Sequence, residues 1–347
     1  MSRHVLVARL DSDGDVLLAG PAVRAVAAGA TAVTLLCGPR GRAAAGLLPG
    51  IGQIVVHRAP WIDPEPDPLD RAATLALIDD LAARSIDEAI VLGSFHQSPL
   101  PLALLLRLAG VGVVAATSDD YPGSLLDVRH RIDHAVHEVE RSLSLVATLG
   151  YRLPASDDGR LRVRLGAYGG PPLARPYVVV HPGASVPARA WSAERHAALV
   201  DALVGEGRRV VVTGSPAERE LTARVTGPAR DEVLDLGGRT DLPGLAHVLA
   251  GARAVVVGNT GPAHLAAAVG TPVVSLFAPT VPAVRWRPWR VAHELLYVDV
   301  PCAGCRAREC PVAGHPCVDG VEVEHVVSAL DRVAARPRAA PRAVAAL

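Results

Sequence analysis

The sequence predicts an α/β protein made of two Rossmann-like domains with a cleft between them, and three observations predict it. Short apolar runs alternate with helix-length segments almost from end to end, the signature of βαβ units and a parallel sheet. Half of the 347 residues are hydrophobic but only 3% are aromatic; the apolar stock is mostly Ala, Val and Leu, which suits parallel strands covered by helices. One stretch, residues 151–176, breaks the rhythm with Gly, Pro and Asp and divides the chain into two series.

The length suits two domains of roughly 150 residues each. In the first, residues 1–150, "HVLVARL" reads as a strand and "DVLLAGPAVRAVAAG" as a helix locally perturbed by Pro21. "TAVTLLC", "IGQIVVH", "DEAIVLG" and "VGVVAAT" are four more strands, separated by helical segments such as "PLDRAATLALIDDLAARS", and the long helix "HAVHEVERSLSLVATLG" closes the series. Residues 151–176 read as an interdomain linker with at most one short strand. The second series, residues 177–330, has strands at "YVVVHPG", "RRVVVTG", "EVLDLGG", "ARAVVVGNT" and "TPVVSLFAP", then a cysteine-rich segment and a helix near "VEVEHVVSALDRVAARP". The Ala/Pro/Arg-rich residues 331–347 read as a disordered tail.

Formal net charge is zero and the pI about 7.2, so there is no bulk drive toward nucleic acid or anionic membrane. Every basic residue other than histidine is Arg and none is Lys, which reads as codon bias, not function. The first residues show no charged-then-apolar leader. No apolar run approaches the ~18 residues of a membrane helix. The expectation is a soluble, cytoplasmic protein, whose five cysteines are thiols or metal ligands before they are disulfides.

Ligands of Rossmann-like sheets bind at the carboxyl ends of the strands, and four strand ends stand out. At Gly258-Asn259-Thr260-Gly261 a strand meets a helix start that offers bare N–H groups to an anion. His264 lies one turn in; the plain alternative is ordinary capping with a surface histidine. In "HPGASVPARAWS", Ser185 and Arg189 suit a phosphate, or form a loop with a solvated arginine. Thr213, Gly214 and Glu218 end a third strand, and Glu218 could accept from ribose hydroxyls or merely favour its helix start. In "ARLDSDGDVLL", Asp15 opens a helix beside Arg9, Asp11 and Asp13, and could act as a general base or simply cap.

Cys302, Cys305, Cys310 and Cys317, with His315, crowd one short stretch. The Cys-x-x-Cys pair and two further thiols admit a structural zinc, free or redox-active thiols, or disulfides, although the spacing is not that of a standard zinc finger.

Together these residues resemble glycosyltransferase family 9, the ADP-heptose:lipopolysaccharide heptosyltransferase-like proteins. The resemblance is carried by "RLDSDGDVLLAGPAVRA", by "HPGAS…RAWSAERHAALVDAL", and most distinctively by "LGGRTDLPGLAHVLAGARAVVVGNTGPAHLAAAVGTPVVSLFAPT", and covers most of residues 3–330. It implies a GT-B fold and inverting transfer of a heptose or related sugar from a nucleoside-diphosphate donor, ADP-heptose first, with no required cofactor. By position, Asp15 would deprotonate the acceptor hydroxyl. Ser185 and Arg189 would hold the diphosphate, Glu218 the ribose, and Thr260, Gly261 and His264 would surround the diphosphate. Two positions depart from the pattern: Asn259 stands where Asp is common, and Arg189 where Lys is. On the acceptor side, Arg9, His96, Asp119, Asp120 and Tyr121 are candidate contacts, with surface loops as the alternative. The partners implied are a nucleotide sugar and a hydroxyl-bearing glycan or metabolite, with membrane proximity only through a lipid-linked acceptor. The competing functions are a nucleotide-sugar epimerase or hydrolase of the same fold, and a non-catalytic nucleotide-sugar-binding or zinc-stabilised protein.

Overall fold

The computed structural model describes residues 3–166, 168–170, 173 and 176–336. Contacts divide the chain into two units, Met1–Arg162 and Val163–Leu347. The division falls inside the stretch read as linker, whose described residues form no helix or strand.

In the first unit, β1 (His4–Arg9), β2 (Ala32–Cys37), β3 (Gln53–Val56), β4 (Glu88–Val91), β5 (Val113–Thr117) and β6 (Val128–His130) form one sheet. Its order is β3-β2-β1-β4-β5-β6, and every pairing is parallel. The helices are α1 (Asp13–Ala27), α2 (Arg42–Leu47), α3 (Arg71–Ala83), α4 (Leu100–Leu108) and α5 (Glu138–Thr148). Val5, Leu6, Val7 and Ala8 are all buried, because a strand covered on both faces has no solvent side and needs no alternation. One core cluster joins Leu6, Ala89 and Val114 of the strands to Leu81, Leu102 and Leu106 of the helices.

Helix α1 runs unbroken through Pro21. The ring costs a backbone bond, about 3 kcal/mol. Buried Val16, Leu17, Leu18, Val23 and Val26 contribute about 1.5–3 kcal/mol each, so the apolar face wins. Strand β6 was not expected. It has three residues at the sheet edge, one of them Arg129, and is pinned through His130, whose ring nitrogens bond Thr117 Oγ1 and Ser144 Oγ at 2.9 Å each. Gly38, just past β2, marks a close approach: a methyl group there would overlap the carbonyl oxygen of Leu10, just past β1. Gly38→Ala therefore has to push aside the turn that leads to Asp15. The expected cost is about 1–3 kcal/mol, read as a lowered urea midpoint; an unchanged midpoint would show that the turn yields freely.

In the second unit, β7 (Tyr177–His181), β8 (Arg209–Gly214), β9 (Val233–Gly237), β10 (Val255–Gly258), β11 (Val273–Leu276) and β12 (His293–Leu296) take the order β12-β11-β10-β7-β8-β9. Again every pairing is parallel. The helices are α6 (Ala193–Gly205), α7 (Arg219–Thr226), α8 (Leu242–Gly251), α9 (Gly261–Ala268), α10 (Ala283–Trp286), α11 (Pro316–Asp319) and α12 (Val323–Ala334). Strand β12, also unexpected, is half-buried throughout at the other edge. Val326, Ala329, Leu330 and Val333 give α12 its apolar stripe against Val256 and Val274. Residues 331–334, read as the start of a tail, are thus the last turn of a packed helix; residues 337–347 lie outside the described residues. Among the described residues no helix is long and apolar enough to cross a membrane.

Candidate active site

Each sheet reverses its strand order once, between β1 and β4 in the first unit and between β7 and β10 in the second. Loops leaving neighbouring strands on opposite sides open a crevice at such a point, and ligands bind there. The sequence-predicted residues gather at these two points.

At the first point the chain leaves β1 through Arg9 and enters α1. Asp15 stands in the first turn of α1, one-fifth exposed; its Oδ2 accepts from Ser12 Oγ at 2.8 Å, and its Oδ1 from Arg9 Nη2 at 2.9 Å. Asp15 therefore does cap its helix, and still presents a partly exposed carboxylate. Asp11 is ion-paired with Arg9, its Oδ2 2.8 Å from Nε, and accepts from Gln97 Nε2. Burial pushes the Asp11 carboxyl up; Arg9 opposes this and neighbouring Asp15 adds to it. Asp13 turns away and accepts from Ala44 N–H at 2.9 Å. Arg9, read as an acceptor contact, is a correction: it is 2% exposed, its Nη2 donates to Asp15 and Ser94, and it is ion-paired with Asp11. Burial disfavours its charge, but Asp11, Asp15 and Glu138 outweigh that. His96 is exposed, edge-on to Phe95 at 5.3 Å. Asp119, also exposed, pairs with His134 at 3.5 Å.

At the second point the β7 loop touches both neighbouring strand ends. The carboxylate of Glu218 lies against Gly183 and accepts from Ser215 N–H at 2.7 Å, so it does steady its own helix start. Thr213 is buried and bonds His181 Nδ1 at 2.9 Å. Burial pushes the His181 imidazole down, against the pull of Glu218. On the other side, a methyl group at Gly258 would sit 3.3 Å from the Arg189 carbonyl oxygen. Glycine there lets the turn that carries Arg189, Pro187–Arg189, pass over the end of β10. Ser185 is exposed in the same loop, and Gly214 is buried at the end of β8.

Beyond β10, Asn259 and His264 are both buried. Helix α9 begins at Gly261 behind Thr260, and no side chain caps it. The Thr260 Oγ1 is buried and has no hydrogen-bond partner among the described residues. Such a hydroxyl costs about 1–3 kcal/mol when left unsatisfied. An uncapped helix start, an orphaned hydroxyl and the adjoining Arg189 turn form a site suited to a phosphate.

The cysteine-rich segment braces this site. Arg308 O accepts from Ala188 N–H at 2.9 Å, Gly304 N–H donates to Pro279 O at 2.7 Å, and Arg306 N–H to Thr280 O at 3.0 Å. His315 Nε2 lies 3.1 Å from Ala188 O. The segment is thus strapped across the Arg189 turn and the loop after β11. Cys302, Cys305, Cys310 and Cys317 line one small pocket with Thr280 and His315, and all five cysteines are free. Zinc was one of three readings the spacing admitted, beside free thiols and disulfides. Among the described residues no three His, Cys, Asp or Glu side chains are grouped to hold a metal ion. Burial raises the Cys317 thiol, and the other three add to this.

Sequence reading missed Ser94, Gln97, Glu138 and Arg141, which stand behind Asp15, and Thr280. Their only signal was position: 94–97 follows β4 at the switch point, and Glu138 and Arg141 share a face of α5 at i and i+3.

Among curated proteins, the chain is 35% identical over 237 residues to lipopolysaccharide heptosyltransferase 1 of Pseudomonas aeruginosa, covering 65% of this chain and 64% of that protein. It is 32% identical over 168 residues to lipopolysaccharide heptosyltransferase 3 of Escherichia coli, covering 45% and 48%. The chain therefore spans about half to two thirds of these relatives. Among solved structures, E. coli ADP-heptose lps heptosyltransferase II superposes with a TM-score of 0.72 at 20% identity, covering 96% of this chain and 98% of that one, which places the two α/β units in the GT-B fold. The profile of glycosyltransferase family 9 (heptosyltransferase) matches residues 74–315, well over half the chain, and this protein belongs to that family.

Proposed function

We propose that the chain is a glycosyltransferase that moves a heptose from ADP-heptose to an acceptor hydroxyl with inversion and without a metal. The observation that carries this is the second switch point. There the uncapped start of α9, the buried Thr260 hydroxyl and the Arg189 turn converge where a diphosphate fits. Family membership supports the sugar transfer, and the E. coli structure named for ADP-heptose supports the donor.

In this reading Asp15 takes the proton of the acceptor hydroxyl. The oxygen attacks the anomeric carbon from the face opposite the nucleotide, and the bond to the diphosphate oxygen breaks. ADP leaves carrying the electron pair, stabilised by Arg189, Ser185 and the α9 N–H groups. Glu218 meets the ribose, while Thr213, Gly214, Asn259 and His264 shape the donor pocket. His96 and Asp119 meet the acceptor. We place the reaction in the cytoplasm, which the free cysteines fit, on a lipopolysaccharide-type or related lipid-linked glycan.

Thermal unfolding with ADP, UDP, GDP and TDP forms tests the donor. A ligand at a hundred times its Kd stabilises by about 2.7 kcal/mol, or roughly 5–10 °C for a unit of this size. The shift is expected with ADP and ADP-heptose; a shift with another base, or none, overturns the donor. Transfer to a lipopolysaccharide inner-core acceptor is expected to survive EDTA, and its loss would overturn metal independence.

A further inference from the structure

The charges buried behind Asp15 assign a role to a residue that reaches no substrate. We propose that Arg9 is the positioning residue for Asp15: its guanidinium fixes one carboxylate oxygen and holds the group ionised, and Asp11, bound to the same guanidinium, sets how strongly. This rests on the reading of Asp15 as the proton acceptor and deepens it.

The geometry is that of a shared cation. Arg9 Nη2 holds Asp15 Oδ1 while Ser12 Oγ holds Oδ2, so both oxygens are constrained. The same guanidinium is ion-paired with Asp11, whose Oδ2 lies 2.8 Å from Nε, and faces Glu138 through Nη1 at 3.7 Å. Glu138, itself 1% exposed, also lies 3.7 Å from Arg141, whose Nη1 is anchored to Gly93 O at 2.6 Å. Three carboxylates thus share two guanidiniums, with Arg9 and Glu138 buried and Asp15 partly exposed. Each carboxylate is attracted by the shared cation and, more weakly, repelled by the others, as the ordering of influences on Asp11 shows.

The charged and titratable groups around Asp15 are these: Arg9 from β1; Asp11 from the turn; Asp13 from α1 itself, with Arg40 beside it from the turn after β2; His96 from the loop after β4; and His137, Glu138 and Arg141 from the start of α5. Of these, Arg9 bonds Asp15 directly, and Asp11 is ion-paired with the same guanidinium. Burial and neighbouring Asp15 both raise the Asp11 carboxyl, as expected where two carboxylates compete for one cation.

The test reads Asp15 itself. In protein labelled with carbon-13 at the aspartate carboxyls, the Asp15 resonance is identified by its loss in Asp15→Asn and followed through a pH titration. Arg9→Gln removes the cation, and the Asp15 midpoint should rise by about one unit or more. Asp11→Asn removes a competing negative charge while keeping its shape, and the midpoint should fall by about one unit. Arg9→Lys should restore most of the midpoint but not the guanidinium fork that reaches Asp15 and Asp11 together, and so leave kcat low. A base must be ionised, so the acidic limb of kcat/KM should follow, upward in pH for Arg9→Gln and downward for Asp11→Asn. General loosening would move both variants the same way, toward an ordinary aspartate.

Midpoints that stay put, or that move together, overturn the proposal. If Arg9→Gln does not fold because it strands buried carboxylates, Asp11→Asn decides alone: no downward shift means Arg9 does not set Asp15. Activity of Asp15→Asn is read separately. If that variant transfers heptose at the wild-type rate, the base reading fails, whatever the titration shows.

Discussion

Asp15→Asn is expected to lower kcat for heptose transfer by about 10²–10⁴-fold, the usual worth of a positioned general base. It should leave the KM for ADP-heptose unchanged, because the proposed donor contacts lie after β7, β8 and β10. The fold should survive. Asn retains an oxygen that can accept from Arg9 or Ser12, and the loss of a negative charge at the α1 start costs about 0.3–1 kcal/mol. Steady-state kinetics beside a thermal melt separates the two effects. A variant that melts normally and turns over at the wild-type rate would reduce Asp15 to the cap it also forms with Ser12.

Arg189→Ala should weaken ADP binding by roughly 10- to 150-fold, the equivalent of about 1.5–3 kcal/mol for hydrogen bonds to a charged group. The turn should keep its shape without the side chain, because its fastening is main-chain: Ala188 N–H to Arg308 O, Arg189 N–H to Val186 O and Ala190 N–H to Pro187 O. Arg189→Lys should recover only part of the loss, since an ammonium cannot hold two phosphate oxygens in one plane. Calorimetric titration with ADP checks both variants. Equal affinity in Arg189→Ala would move the diphosphate away from this turn.

Much of this was legible because the physics is local. Runs such as "HVLVAR" and "YVVVH" announce buried parallel strands through unbroken hydrophobicity, and Gly258 through Gly261 announces a strand-to-helix turn through its residue types alone. The edge strands β6 and β12 were not legible. An edge strand is half solvated, and three or four mixed residues carry no period. The role of Arg9 was misjudged for a related reason. A charged residue at a strand end looks like a ligand contact until Asp11 and Glu138 are seen to enclose it, and Glu138 arrives from 129 positions later in the chain. Pro21 was overrated as a perturbation because its buried helix neighbours outweigh one missing bond.

The strap of residues 302–317 has a consequence for how this protein can vary. Its grip on the Arg189 turn and on the loop after β11 is made mostly by backbone groups, and nearly every residue type supplies the same backbone. Drift in the side chains of this segment, cysteines included, need not disturb the donor loop. The constrained positions are those where the chain bends the unfavourable way: Gly304 at φ 80°, Arg306 at φ 55° and His315 at φ 43°, where a β-branched replacement would distort the path itself. A library randomised across the segment should therefore tolerate change at Cys302 and Cys305 and reject it at Gly304, so that the glycine between the thiols carries the selective weight.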